Sequence, residues 1–165
     1  MTLQSITQIL GAIGVIASLI YVAIQIRNNA RATRAATYQA VSNALAGTWD
    51  MLAANGELME LVLKGGDDFG SLDRVQKARM RMSHMAYMRR YENAWFQRKV
   101  GTLHEPEWQA IIADMEAILS MPGTREVWKL VKDRSGAEFR AFVDEMAARH
   151  DAGQAGEKPG RTAEG

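Results

Sequence analysis

An uncharged apolar segment near the N-terminus constrains this chain more than any other feature. Residues 6–26 (ITQILGAIGVIASLIYVAIQI) contain no Asp, Glu, Lys or Arg, and Arg27, Arg31 and Arg34 follow directly. A helix of this length is about 30 Å long, which matches the hydrocarbon thickness of a bilayer. Because such a helix satisfies its own backbone hydrogen bonds in lipid, the segment predicts a transmembrane anchor over residues 1–26.

Two other interpretations of the apolar segment stay open. Gly11, Gly14, Ser18 and Gln25 lower its hydrophobicity, and a moderately apolar helix of this kind also occurs in the core of soluble bundles. A cleavable signal peptide is the second alternative. It is the weaker one, because no Lys or Arg precedes the apolar run and Ala30-Arg31-Ala32 is a poor context for cleavage.

The charges around the segment predict its orientation. Only the amino terminus precedes it, whereas Arg27, Arg31 and Arg34 follow within eight residues. Positive residues flanking a membrane helix favour the cytoplasmic side, so we expect residues 27–150 to form a cytoplasmic domain. The absence of cysteine is compatible with a reducing compartment.

Small residues on one face of the segment suggest contact with another membrane helix. Gly14 and Ser18 are four residues apart, and Gly11 lies close to the same face. Small side chains at this spacing let two helices approach closely, which favours self-association in the membrane. The alternative is the ordinary glycine content of a transmembrane helix, and the sequence alone does not separate the two.

The remainder of the chain predicts an all-α fold in which the anchor continues into a bundle of about four to five helices. No run alternates at period two, so no sheet is expected. The first helix is expected to continue to Asn55-Gly56, and residues 151–165, which lack large apolar side chains, are expected to be disordered. Turn and capping residues predict the later boundaries. A short helix at 57–63 is followed by a loop at 65–70, and a second long helix at 72–100 is capped by Ser71 and ended by Gly101. A third helix runs from Pro106 to a stop at Pro122-Gly123, a fourth is capped by Thr124, and a fifth begins with a capping box at Ser135.

The second long helix has an unbalanced charge. Residues 71–101 contain eight Lys and Arg and two acids, whereas residues 102–121 contain four acids and no Lys or Arg. A basic helix followed by an acidic one favours an antiparallel pair. The alternative is a basic face for anionic lipid headgroups. Nucleic-acid binding is not expected, because the net charge is only +1 and no recognised binding motif is present.

A carboxylate interrupts the apolar pattern of this helix. Glu92 occupies a position where the spacing calls for an apolar residue, and a half-buried carboxylate needs a partner. Arg89, one turn earlier, is the nearest candidate. We expect a structural ion pair. The alternative is a ligand pocket or acid–base group involving a wider set of nearby side chains: Arg89, Arg90, Tyr91, Glu92 and Trp95.

Several short motifs are shared with one known group of proteins. They are Tyr21–Asn29 in the anchor, Arg-Arg-Tyr-Glu-Asn-Ala-Trp-Phe-Gln at 89–97, Gly101-Thr102-Leu103, Trp108, Pro122-Gly123 before Trp128, and Phe139–Val143. Over residues 10–148 the chain resembles a widespread family of uncharacterised bacterial single-pass membrane proteins. The resemblance implies a helical protein of the bacterial inner membrane and implies no activity.

No catalytic constellation is recognisable in the sequence. The chain has no cysteine, its three histidines (His84, His104 and His150) lack the spacing of a metal site, and no phosphate-binding or nucleophile motif is present. Met80, Met82, Met85 and Met88 are interpreted as core filler, with an adaptable partner surface as the alternative. We therefore expect a non-enzymatic protein without cofactor or metal. Its expected partners are membrane lipid and either a second copy or another protein, and a lipid- or ligand-responsive sensor using residues 89–95 is the alternative.

Overall fold

The structure, a computed structural model, describes residues 3–156, and all regular structure in that range is helical. Its six α-helices are α1 (Leu3–Ala54), α2 (Gly56–Asp67), α3 (Arg74–Lys99), α4 (Glu105–Ser120), α5 (Pro122–Val131) and α6 (Ala137–Gly156), with single 3₁₀ turns at Phe69–Ser71 and Lys132–Arg134. The predicted all-α class, with a long N-terminal helix leading into a bundle, is confirmed.

Helix α1 is continuous and has two unlike parts. Every side chain described before Thr37 is exposed, whereas Val41, Leu45, Thr48 and Leu52 are buried at the three- to four-residue spacing of one helix face. By length and composition α1 is the one helix among the described residues that is long and apolar enough to cross a membrane. Its most apolar window has a mean hydropathy of 2.3, and none of that window is buried. The prediction of an uninterrupted helix up to residue 55 is confirmed.

The end of α2 and the start of α5 meet backbone to backbone. A Cβ atom placed on Gly123 would lie 1.9 Å from the carbonyl oxygen of Gly65 and 2.9 Å from that of Gly66. No side chain fits in that space, so glycine is required at position 123 for the two helices to approach this closely. Gly65 and Gly66 are themselves buried and helical, so the prediction of a loop from Gly65 was wrong for residues 65–67.

Two predicted helix caps, Ser71 and Thr124, were also wrong. Helix α3 is capped by Asp73, which forms a capping box with Gln76, rather than by Ser71. The predicted stop of the third helix at Pro122-Gly123 is confirmed, because α4 ends at Ser120. The same two residues begin α5, a position that proline fills well in the first turn. Thr124 therefore lies inside α5, and its hydroxyl donates to the carbonyl oxygen of Met121.

The two ends of α6 differ from the predictions as well. The helix begins at Ala137, and the carbonyl oxygen of Gly136 accepts from the N–H of Arg140, so Gly136 rather than Ser135 occupies the cap position. At its C-terminal end α6 continues to Gly156, which makes the expected disorder wrong for residues 151–156. The rest of that expectation, for residues 157–165, lies outside the described residues.

Helices α3 and α4 pack together, as their opposite charges predicted. Gly101, in the left-handed region at φ 78°, ends α3 in the predicted place. The N–H groups of Gly101 and Thr102 donate to the carbonyls of Arg98 and Gln97, the pattern of a Schellman motif. Across this turn Arg98 donates to Glu105 at 2.9 Å and lies over the ring of Trp108. The hydrogen bonds from Arg98 and Gln109 lower the pKa of the Glu105 carboxyl.

The α2–α5 contact leads to a stability prediction. Gly123→Ala should lower the free energy of unfolding by about 3 kcal/mol or more, because its methyl group would overlap backbone atoms that cannot move independently. Urea unfolding of the full chain in lipid nanodiscs, followed by tryptophan fluorescence, measures the loss.

Gly47→Ala is the matched control for this change. Gly47 is exposed in α1, and a Cβ there would meet nothing within 4 Å. Alanine should therefore stabilise the chain by about 0.5–1 kcal/mol through its higher helix propensity. Equal effects of the two substitutions would contradict the close approach of α5 to α2.

Candidate functional site

Glu92 and Arg89 connect α3 to the start of α6. The guanidinium of Arg89 pairs with Glu92 at 2.6 Å (Nη1 to Oε2) and donates to the carbonyl oxygen of Arg134 at 2.9 Å. The other carboxylate oxygen of Glu92 accepts the N–H of Gly136 at 2.7 Å. Amides at a helix start lack partners within the helix and favour a negative charge, so Glu92 stabilises the N-terminus of α6. The predicted partnership of Glu92 with Arg89 is confirmed.

An open cleft of about 590 Å³ lies beside this ion pair. Trp95 contributes an aromatic wall, contacts Phe139 edge-on with ring centroids 6.1 Å apart, and carries the ammonium of Lys99 over its face at 5.4 Å. The cleft is lined by side chains and backbone of α3 and of the start of α6: Arg89, Glu92, Asn93, Trp95, Phe96, Gly136, Ala137, Glu138 and Phe139. Charged, aromatic and backbone groups are therefore available to a polar ligand there.

Two of the five residues predicted to share this site lie outside the cleft. Tyr91 is 1% exposed, stacks on Tyr87 with ring centroids 6.0 Å apart, and packs in the core. Burial raises the pKa of the Tyr91 phenol far above its ordinary range. Burial also raises the pKa of Tyr87 to about 12, and the positive charge of Arg90 opposes this increase for Tyr87. Arg90 thus lies near the tyrosine pair. Arg89, Glu92 and Trp95 are brought together, whereas Arg90 and Tyr91 are not.

A second cavity, of about 230 Å³, lies inside the bundle. Helices α1 to α5 and the α4–α5 junction line it with fifteen residues: Trp49, Met51, Leu52, Leu58, Met59, Val62, Leu63, Met80, Ser83, His84, Tyr87, Ala117, Ile118, Met121 and Thr124. None of these residues carries a charge at neutral pH. Trp49, Met51 and Leu63 are 43%, 44% and 55% exposed, so the cavity opens to solvent at the edge between α1 and α2.

His84 is the buried polar residue of this cavity. It is 4% exposed, and its Nε2 atom has no hydrogen-bond partner among the described residues. Burial lowers the pKa of the His84 imidazole to about 4, so the ring is neutral at physiological pH. Helical spacing puts His84 on one face of α3 with Met88, Tyr91 and Trp95, but it gives no sign that the imidazole would lack a partner.

The residues predicted to flank or pack the anchor are all exposed. An added Cβ on Gly11 or Gly14 would meet nothing within 4 Å, and the hydroxyl of Ser18 donates to the carbonyl oxygen of Gly14. Arg31 and Arg34 border a third cavity, of about 370 Å³, which lies against the α3–α4 turn. Arg27 lies one turn closer to the apolar segment and does not line it.

Sequence reasoning missed a buried arginine. Arg125 is 3% exposed and donates to the carbonyl oxygens of Leu119 and Ser120, each at 2.7 Å, and to the carboxylate of Asp151 at 2.6 Å. Partial burial opposes ionisation of Asp151, but bonds from Arg125 and the charge of Lys129 outweigh it and lower the Asp151 pKa. Arg125 lies one turn before Trp128, so a helical projection of α5 contained the signal.

No group of three or more His, Cys, Asp or Glu side chains among residues 3–156 is arranged to hold a metal ion. The charged clusters that the structure does describe are ion pairs and helix caps. Asp144, for example, accepts from the indole N–H of Trp128 and from Lys132, and these bonds outweigh partial burial and lower its pKa. These ion pairs and caps connect neighbouring helices.

The Glu92 geometry predicts that removing this half-buried carboxylate costs more stability than removing the exposed Glu138. Glu92→Ala should lower the free energy of unfolding by about 2 kcal/mol, because it leaves the Gly136 N–H and the Arg89 guanidinium without their charged acceptor. Glu138→Ala removes an exposed pair with Lys99 and a charge in the first turn of α6, but no hydrogen bond to the backbone, and should cost less than about 1 kcal/mol. Urea unfolding measures both, and a smaller loss for Glu92→Ala than for Glu138→Ala would refute the capping role.

The buried imidazole predicts a pH dependence. Below about pH 6.5 the unfolded chain binds a proton at His84 that the folded chain does not bind until about pH 4. Stability contributed by this group is therefore full above pH 6.5 and falls by about 3 kcal/mol as the pH decreases to 4.

Two histidine variants isolate this contribution. His84→Leu should show a smaller loss of stability between pH 7 and pH 4.5 than the unaltered chain, measured by urea unfolding at the two pH values. His104→Leu, at an exposed position, should keep the original pH dependence. If His84→Leu kept it as well, the imidazole would not be neutral by burial.

Comparison of the chain with models of protein families, with curated proteins and with solved structures finds no match. The assignment of a function therefore depends on the physical features of the chain itself.

Proposed function

We propose that this chain is a single-pass membrane protein whose helical domain binds partners at the membrane surface. The supporting observation is the contrast within α1: Leu10, Leu19 and Ile26 are each more than 60% exposed, whereas its C-terminal half packs in the bundle. Soluble monomers seldom expose so large an apolar surface. Lipid would cover these side chains, so residues 1–26 serve as the anchor and residues 27–150 as the domain outside the membrane.

The proposed location is the bacterial inner membrane, with the domain in the cytoplasm. Arg27, Arg31 and Arg34 support this orientation, since Lys and Arg accumulate on the cytoplasmic side. The resemblance to bacterial single-pass proteins, carried by the 89–97 motif, supports the organism class and the location. Membership of that family is part of the same proposal.

The proposed role is self-association or the holding of a protein partner, and not catalysis. Gly11, Gly14 and Ser18 form a face of small residues that open space surrounds, which suits the close approach of a second anchor helix. The carboxylate of Glu92 and the guanidinium of Arg89 are engaged with the backbone around the start of α6, which supports a structural role for them. Membrane lipid is the other partner, and nucleic acid is not among the proposed partners.

A sensor of a lipid or small ligand is the second candidate. The cleft of about 590 Å³ beside Arg89, Glu92 and Trp95 favours it, because a cationic group, an acidic group and an aromatic face converge there. A ligand in this cleft would contact the cap of α6 and so change the stability of that helix. Arg90 and Tyr91 take no part in this version of the sensor.

The packing face predicts a change in oligomeric state. Gly14→Leu should weaken self-association at least tenfold, because the added side chain separates two helices that otherwise touch at this face. Ala12→Leu is the control, because residue 12 points about 100° away from Gly11 around the helix and therefore lies off this face. It should leave association unchanged. Native mass spectrometry of the full chain released from nanodiscs counts the copies. Loss of the dimer in both variants, or in neither, would argue against this face.

The orientation can be tested with single cysteines, since the chain contains none. Gln4→Cys lies at the start of the anchor, before the apolar run 6–26, and Val75→Cys is at a 67% exposed position of the domain. In bacterial spheroplasts an impermeant maleimide should label Gln4→Cys, and should label Val75→Cys only after lysis. The reverse pattern would place the domain outside the cytoplasm.

A further inference from the structure

We propose that the cavity between α1, α2, α3 and the α4–α5 junction is a binding site for a compact, uncharged, mostly apolar molecule that bears one hydroxyl group. The site lies apart from the Arg89–Trp95 cleft. Its existence does not depend on self-association or on the orientation of the chain in a membrane.

The lining excludes a charged ligand. All fifteen residues around the cavity are uncharged at neutral pH once His84 is neutral, and most are aliphatic, aromatic or thioether side chains. An ion brought into such a site would lose its hydration without gaining a counter-charge. An uncharged apolar molecule instead removes apolar surface from water when it enters.

The volume and the wall composition set the size class. A cavity of about 150 Å³ holds benzene, and this one measures about 230 Å³, which suits a molecule of about two fused rings. Four of its walls are methionines, Met51, Met59, Met80 and Met121. Their unbranched, flexible side chains can adapt to ligands of somewhat different shape.

His84 is the reason why the ligand should carry a polar group. Its Nε2 is buried and has no partner among the described residues, and a neutral imidazole carries one N–H donor and one acceptor nitrogen. A hydroxyl can donate or accept, so it can satisfy whichever tautomer is present. The hydroxyl of the neighbouring Thr124 already donates to the carbonyl oxygen of Met121, which leaves the imidazole as the group that most needs a ligand.

The mouth of the cavity indicates the route of entry. The exposed rim side chains Trp49 and Met51 follow residue 26 by more than twenty positions, which is about 35 Å along α1. If residues 1–26 are the anchor proposed above, the mouth is far from the hydrocarbon core. The occupant is then a molecule taken from the aqueous phase and not an acyl chain of the surrounding bilayer.

Calorimetric titration of the full chain in nanodiscs tests the proposal, with empty nanodiscs subtracted for partitioning into lipid. The probes are 2-naphthol, naphthalene and 2-naphthoate at pH 7. We expect 2-naphthol to saturate one site per chain, naphthalene to bind about tenfold more weakly, and 2-naphthoate not to bind. A loss of one hydrogen bond to a buried group corresponds to a factor of this order.

Three variants locate the binding. Ser83→Leu, from a half-buried cavity wall, should weaken 2-naphthol binding at least tenfold by filling the space. Ala117→Leu, at an exposed position of the wall, carries the same expectation if Ser83→Leu does not fold. His84→Leu should bind naphthalene and 2-naphthol equally, whereas the control His104→Leu should keep the preference for 2-naphthol.

Four results would overturn the proposal. They are the absence of saturable 2-naphthol binding, binding of 2-naphthoate as tight as that of 2-naphthol, binding unaffected by the cavity-filling variants, and a preference for the hydroxyl that survives His84→Leu. None of these results bears on the membrane anchor or on the oligomeric state. The binding site can therefore be refuted while the proposed function stands, and the proposed function can be refuted while the binding site stands.

Discussion

The backbone contact between Gly123 and the end of α2 is the constraint on which the rest of the bundle depends. With no side chain at position 123, α5 begins against the carbonyl oxygens of Gly65 and Gly66. That placement brings Arg125 to the C-terminal carbonyls of α4 and Trp128 beside Phe139 of α6. A short helix of ten residues, too short to be stable alone, thereby contacts four longer ones, α2, α3, α4 and α6.

Helix α1 links this bundle to the apolar segment. Its C-terminal half packs against α2 and α3 and buries Val41, Leu45 and Leu52, so the bundle fixes the direction in which the N-terminal half leaves. Since α1 contains no proline and no break, the two halves form one continuous helix. Proposed anchoring, proposed self-association and the cavity at Trp49 are therefore mechanically connected through a single helix, although each can be tested separately.

Local rules predicted what depends on neighbours in sequence. The continuity of α1 follows from residue spacing, the helix end at Gly101 from turn chemistry, and the pairing of Arg89 with Glu92 from the proximity of residues three apart in a helix. Gly65-Gly66 was interpreted as the start of a loop because glycine usually marks loops, whereas here tertiary contact favours helix through residue 67. Pro122-Gly123 does mark the end of α4, but the sequence did not show that α5 begins at the same two residues. The cavity at His84 and the buried Arg125 depend on several helices meeting, which periodicity within one helix does not encode. The sequence could have predicted that Arg90 does not share a site with Arg89, since adjacent helical residues point about 100° apart.

Depth measurement on α1 tests the central claim most directly, namely that its exposed N-terminal half is covered by lipid and its second half is not. Spin labels at Leu19→Cys and Ala44→Cys occupy exposed positions of the same helix. In membranes, the label at position 19 should be accessible to oxygen and shielded from a water-soluble nickel complex, and the label at position 44 should show the opposite. Equal access of the nickel complex to both positions would contradict the anchor.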